Sequence, residues 1–529
     1  MRILSRISII AVAVGVALAV YPAAAHGFGE RYDLPVPLSL YVVGAGAAVA
    51  LSFVIMGVFV RGAEGGGGYP RFNLLRWRAV RFAVHPAVVT AVQAASVGVL
   101  ALVIAAGLVN TWGPALESFA VAAGLSGTPE ASMNISPTLV WVIWWVGMAY
   151  VSALAGNVWR LMNPWNATFA WAERAYRAIS GDGELGMGLR YPASLGVWPG
   201  ALAFLVFAWV EIVYIESPLP GRITQFALLY TVYMWAGMFM FGREAWLRHG
   251  DAFSLVFGFL ARFSPTELRV TDDSVCEECS VDCRGEDDGC VDCAACFTAA
   301  APEQRELNVR PYVVGLLRGE GRSTSVMVFV LLLLSTVSFD GFSATPAWGR
   351  LFNALFDVFR DANTVGTIGL LGFFTTVIAV YMTFAGLMSA ASGYRLLSAE
   401  AAKFFVLPLI PIALAYHLAH FFSFLLIQGQ NVIPLASDPF GLGWDIFGTA
   451  GYEIDIGIIG ARTVWLLSVA AIVVGHVAAV YLAHVTALRE IPERRHALRS
   501  QYPMLALMVA YTMVSLWILA QPIVESSAG

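Results

Sequence analysis

Ten apolar runs, nearly free of charge, punctuate this chain at about 37–60, 86–110, 137–158, 192–215, 225–247, 324–343, 367–392, 404–428, 462–486 and 503–522. A helix rises about 1.5 Å per residue, so each run is long enough to cross the ~30 Å hydrocarbon core of a bilayer. Inside that core each backbone N–H and C=O must be satisfied within its own segment, which a helix achieves. The runs therefore predict an all-α polytopic membrane protein of about ten transmembrane helices. Composition agrees: 58% of residues are apolar and 13% charged, against roughly 25% charged in soluble domains. The basic residues are scattered at the borders of the runs, which excludes a nucleic-acid-binding surface.

The arginines orient the map. Arg61, Arg71, Arg76, Arg78 and Arg81 fall between the first two runs, and Arg160, Arg174, Arg177 and Arg190 between the third and fourth. Nine arginines lie in 243–323, and the stretches 111–136 and 429–461 contain no basic residue. By the positive-inside rule the arginine-bearing loops face the cytoplasm. Residues 1–25 read as a secretory signal peptide, with Arg2 and Arg6, the apolar stretch 7–20 and the small-residue site Ala23-Ala24-Ala25. The expected organisation is a signal peptide (1–25), transmembrane helices 1–5 (26–247), a cytoplasmic Cys-rich loop (248–323) and helices 6–10 (324–529). The mature N-terminus and the C-terminus would both lie outside a bacterial inner membrane.

Cleavage after Ala25 makes His26 the first residue of the mature chain. An N-terminal histidine chelates through its α-amine and ring Nδ1, a planar pair of nitrogens that suits tetragonal copper(II). More imidazoles lie within the apolar runs: His417 and His420 three apart on one helix face, then His476 and His484 on the next helix. Intramembrane ionisable groups are costly and mark function. Antiparallel neighbours would let His417, His420 and His476 meet near mid-membrane as metal ligands, with His484 closer to the inner border. Glu211, Tyr214 and Asp340 are placed to support such a site from the outer side. The competing expectation is that Glu211 and Asp340 pair with Arg222 or Arg350 at the rim.

All six cysteines cluster as Cys276-x2-Cys279-x3-Cys283-x6-Cys290-x2-Cys293-x2-Cys296. In a cytoplasmic loop the thiols stay reduced, and paired C-x-x-C spacings let thiolates converge on one soft ion. Zinc and an iron–sulfur cluster both fit that spacing.

The start Ala25-His26-Gly27-Phe28-Gly29-Glu30-Arg31-Tyr32-Asp33-Leu34-Pro35, the block Leu331-Leu332-Leu333-Leu334-Ser335-Thr336-Val337-Ser338-Phe339-Asp340-Gly341-Phe342 and the Cys-rich loop resemble the bacterial membrane proteins called fenitrothion hydrolases. The resemblance implies hydrolysis of an organophosphorus triester at the membrane, with a partner protein, and carries no catalytic residue over. The chain has no G-x-S-x-G, H-E-x-x-H or G-x-x-x-x-G-K-[ST] motif, so a hydrolase of this sequence is expected to be metal-dependent. Two other readings stand beside it. One is a copper-handling or redox membrane protein, with a membrane or electron-transfer partner. The other is a permease with a histidine proton relay.

Overall fold

The most enclosed helix is the one whose sequence is apolar all round. Thr324–Ser343 has 83% of its central window buried inside the protein, against 6% for Pro86–Val109 at the periphery. In a bilayer such burial comes from packing against other helices rather than from escape from water. The computed structural model describes residues 32–59, 69–111, 131–181, 185–276, 290–318, 323–522 and 524–525. Among them, ten helices are long and apolar enough to cross a membrane. The signal-peptide segment and His26 lie outside the described residues.

The helices are, in chain order, α1 (Leu38–Phe59), α2 (Pro86–Thr111), α3 (Ile135–Ala155), α4 (Pro164–Ser180), α5 (Trp198–Ile212), α6 (Pro220–Phe241), α7 (Arg243–His249), α8 (Ala252–Ala261), α9 (Thr324–Ser343), α10 (Pro346–Phe359), α11 (Ala362–Ala391), α12 (Ile410–Gln428), α13 (Ala461–Glu490) and α14 (Arg494–Ala520). The spanning ones are all but α4, α7, α8 and α10. Helix α9 sits at the centre, against α5, α11 and α12, and α12 packs closely on α13. That last contact is tight because Gly475 of α13 has no side chain: a Cβ there would lie 2.4 Å from the Ala415 Cβ and 2.7 Å from the Pro411 carbonyl.

Two short strand systems tie the loops together. Strand β1 (Tyr32–Asp33) pairs in parallel with β6 (Val524–Glu525), so both ends of the helical array meet on one side. Strands β2 (Phe72–Asn73), β3 (Thr266–Val270), β4 (Cys290–Val291) and β5 (Arg305–Val309) form an antiparallel sheet in the order β2-β5-β3-β4. Two arginine-bearing loops far apart in sequence thus build one small domain. Its core holds a buried ionic network. Glu267 accepts from Arg71 Nε at 2.7 Å, Arg310 Nη1 at 3.2 Å and the Tyr69 hydroxyl at 2.6 Å. Burial and the bond to Glu267 raise the Tyr69 hydroxyl above its ordinary pKa.

The segment 248–323 is not loop throughout. Helix α8 has eight of its ten residues buried and packs against α3 and α5 within the bundle. At about 15 Å it is too short to span, and the protein encloses it on most of its surface. Its N-cap, Asp251, is fully enclosed and accepts from Tyr230, Ser254, Asn163 and the Phe253 amide at 2.6–3.1 Å. Four donors offset the cost of burying one carboxylate.

Candidate functional site

Five helices, α3, α5, α8, α9 and α12, enclose a narrow chamber in the bundle. Its ionisable walls are Glu211 at the end of α5, Asp340 near the end of α9 and His417 in the middle of α12, and its apolar walls include Trp145, Leu333 and Phe421. Among the described residues, no arginine or lysine lines it. Helix α8 reaches it through Val256 and Leu260.

Local sequence places each group. In α3 the run Thr138–Val146 is π-helical, a wider winding that recurs at functional sites. It sets the Trp145 indole toward Glu211 without closing a full hydrogen bond. Helix α9 satisfies its own hydroxyls: Ser335 and Thr336 donate to the carbonyls of Leu332 and Leu333. Asp340 accepts from His420 Nε2 at 2.9 Å, and His420 stands one turn from His417, as their spacing requires. The His417 ring is hydrogen-bonded to the Val146 backbone, yet its Nε2 is buried with no partner. The residue is 7% exposed. A partnerless buried nitrogen costs about 1–3 kcal/mol, so a hydrogen-bonding group or a Lewis acid at that position stabilises the chamber.

The structure separates residues that the sequence grouped. His476 is fully enclosed on α13, its Nδ1 2.8 Å from the Ile472 carbonyl and its ring 6.0 Å from that of Tyr511; it is not a chamber wall. His484 lies nearer the other end, with Nδ1 2.9 Å from Gln501 Oε1. The Tyr214 hydroxyl donates to Glu216 at 2.7 Å rather than toward the chamber. Arg222, expected as a rim partner for Glu211 or Asp340, also binds Glu216, at 2.7 Å. The Tyr214 and Arg222 hydrogen bonds hold the Glu216 carboxyl below the ordinary glutamate range. The short loop 213–219 brings Glu216 to Arg222 before any intramembrane acid can reach it.

In the sheet domain Cys290, Cys293 and Cys296 are buried together, with the Cys290 and Cys296 sulfurs 3.5 Å apart. The Arg248 guanidinium of α7 lies 4.0 Å from the Cys293 sulfur. Cys279 and Cys283 lie outside the described residues, as does the side chain of Cys276.

Among the described residues, no three His, Cys, Asp or Glu side chains are gathered closely enough to hold a metal ion as they stand. Sequence reasoning found Glu211, Asp340, His417 and His420 but missed Trp145 and α8; neither a π turn nor a buried half-helix leaves a signature in hydropathy. Comparison with family models, curated proteins and solved structures gives no match.

Proposed function

We propose that the chain is an inner-membrane metalloprotein whose chamber takes one divalent transition-metal ion and, as the resemblance implies, hydrolyses an organophosphorus ester. The observation that carries this reading is the partnerless Nε2 of His417 in a chamber that also holds Glu211 and Asp340 and no basic side chain. Two carboxylates and an imidazole are a donor set for zinc, iron or copper. Such an ion would supply a Lewis acid that makes water nucleophilic near neutral pH. Glu211, Asp340 and His417 would hold it once the side chains close inward, and His26 is the outer ligand the sequence offers. His420, hydrogen-bonded to Asp340, is positioned to hold the proton that the departing alkoxide or phenolate takes up. The arginine-bearing sheet domain would face the cytoplasm, with both chain ends outside.

Copper handling is the second reading, favoured by partnerless ring nitrogens on both His417 and His476. In either reading the Cys module would bind zinc or an iron–sulfur cluster in its reduced form.

The test is metal content by mass spectrometry together with turnover of a nitrophenyl phosphotriester. It uses wild type, His26→Ala, His417→Ala and Glu211→Gln. The proposal expects one chamber ion per chain in wild type in addition to what the Cys module holds, at least tenfold lower occupancy of that ion in His417→Ala, and turnover that follows it. Copper that follows His417 without turnover would select copper handling. Metal content indifferent to His417 and Glu211 would sink both readings.

A further inference from the structure

Beyond the chamber wall, the seam between α13 and α14 carries buried polar groups at the level of His476 and again at His484, with an apolar stretch between them. Antiparallel α13 and α14 set the levels: His476 faces Tyr511, and His484 faces Gln501. His476 lies about 22 Å from either end of α13, counting 1.5 Å per residue.

Between the chamber and that level, two buried polar atoms have no protein partner, the Tyr416 hydroxyl and His476 Nε2. Tyr416 neighbours His420, ring to ring at 6.0 Å, and stands within electrostatic range of both Asp340 and Tyr511. Tyr511 is hydrogen-bonded to Ser338 of α9. Buried groups left this way are where proteins hold internal water. Between His476 and His484 the character reverses: Ala479, Val480 and Ala483 of α13 and Met504 and Met508 of α14 are buried there. The polar stretch therefore ends at His476, about 12 Å of helix short of His484.

We propose that this is a proton half-channel. Water molecules connect the chamber to His476, and the methionine belt closes the way to His484 and the far side. Each transfer along the file breaks one O–H bond as it forms the next, the last forms N–H at His476 Nε2 and is reversed when the proton leaves, and no other reactant is consumed. His476 is the terminal acceptor: Nδ1 is taken by the Ile472 carbonyl, so a proton arrives and leaves at Nε2. The half-channel stands whether or not the chamber holds a metal.

The first measurement is deuterium exchange at the histidine C2 position of the intact protein, read by mass spectrometry. Exchange at that carbon needs water at the ring. A half-channel predicts that His476 exchanges within about tenfold of the surface residue His496, and that exchange slows at least tenfold in Tyr416→Trp, whose larger ring fills the file. A His476 that exchanges a hundredfold slower than His496 would overturn the proposal. The second measurement is proton flux into proteoliposomes under a potassium diffusion potential. Wild type should be tight. Met504→Ala with Met508→Ala should leak at least tenfold faster, and adding His476→Phe should remove most of that leak. A tight double variant, or a leak indifferent to His476→Phe, counts against the pathway.

Discussion

The sharpest prediction is a difference in sign between two buried histidines. His417 and His484 are both enclosed on membrane helices, but His484 Nδ1 is matched to Gln501 at 2.9 Å, whereas His417 Nε2 has no partner. Leucine fills nearly the volume of histidine and needs no hydrogen bond. In His417→Leu the chain loses one bond to the Val146 backbone, worth about 1 kcal/mol, and sheds an unsatisfied nitrogen that costs about 1–3 kcal/mol. The metal-free variant should be between unchanged and about 2 kcal/mol more stable, the lower end applying if a water sits on Nε2. In His484→Leu the Gln501 carbonyl loses its partner, and the loss should be about 1–3 kcal/mol. Thermal unfolding in detergent, after exhaustive chelation, separates the two. A ligand at a hundredfold its dissociation constant adds about 2.7 kcal/mol, so a saturating metal should raise the wild-type midpoint and leave His417→Leu flat. If His417→Leu falls as far as His484→Leu without metal, the imidazole is a structural member of the bundle and the argument from its open nitrogen fails.

Three further perturbations test the frame around the chamber. Glu267→Gln removes one of the two carboxylates that Arg310 meets, Asp292 being the other at 3.0 Å, and the one that Arg71 binds at 2.7 Å; breaking a buried pair from one side costs about 3–5 kcal/mol, of which Asp292 offsets part, so amides of Thr266–Val270 should exchange at least tenfold faster. Gly475→Ala drives a methyl into Ala415 and the Pro411 carbonyl. It should cost about 1–3 kcal/mol and weaken metal retention at His417, while Gly98→Ala, with nothing within 4 Å, should be silent in both assays. Cys290→Ser with Cys296→Ser should remove zinc or iron from reduced protein while leaving any chamber metal in place; equal metal content before and after would remove the cluster from the list of sites.

Hydropathy made the spans legible because each is a continuous run, and the alternation of arginine-bearing and arginine-free loops agrees with the pairing of β2 with β5 and of β1 with β6. Spacing placed His417 and His420 on one face, and the bond from His420 to Asp340 follows from that face meeting α9. Depth along a helix was readable, but azimuth was not. His476 has the depth to reach His417, yet it is held by the Ile472 carbonyl beside Tyr511. Helix α8 escaped because ten apolar residues are too few to register as a span, and what ties it to the bundle, Asp251 with donors from Tyr230 of α6 and Asn163 before α4, is long-range. The rim pairing of Arg222 with Glu211 failed because Glu216 lies closer along the chain.

Charge balance links the chamber to the half-channel. Glu211 and Asp340 share a space with no arginine or lysine in its lining, and isolated charge in a low-dielectric interior has to be compensated by a proton or a cation. An entering divalent ion therefore competes with protons for the same oxygens and for His417 Nε2, and the displaced protons need a route to water. Calorimetry in two buffers of different ionisation enthalpy measures that number directly. One to two protons should be released per ion in wild type and fewer in Glu211→Gln, because the amide carries no proton to lose. Binding with no proton release would mean that the chamber is already charged when empty, and the competition between metal and protons would fail as an explanation.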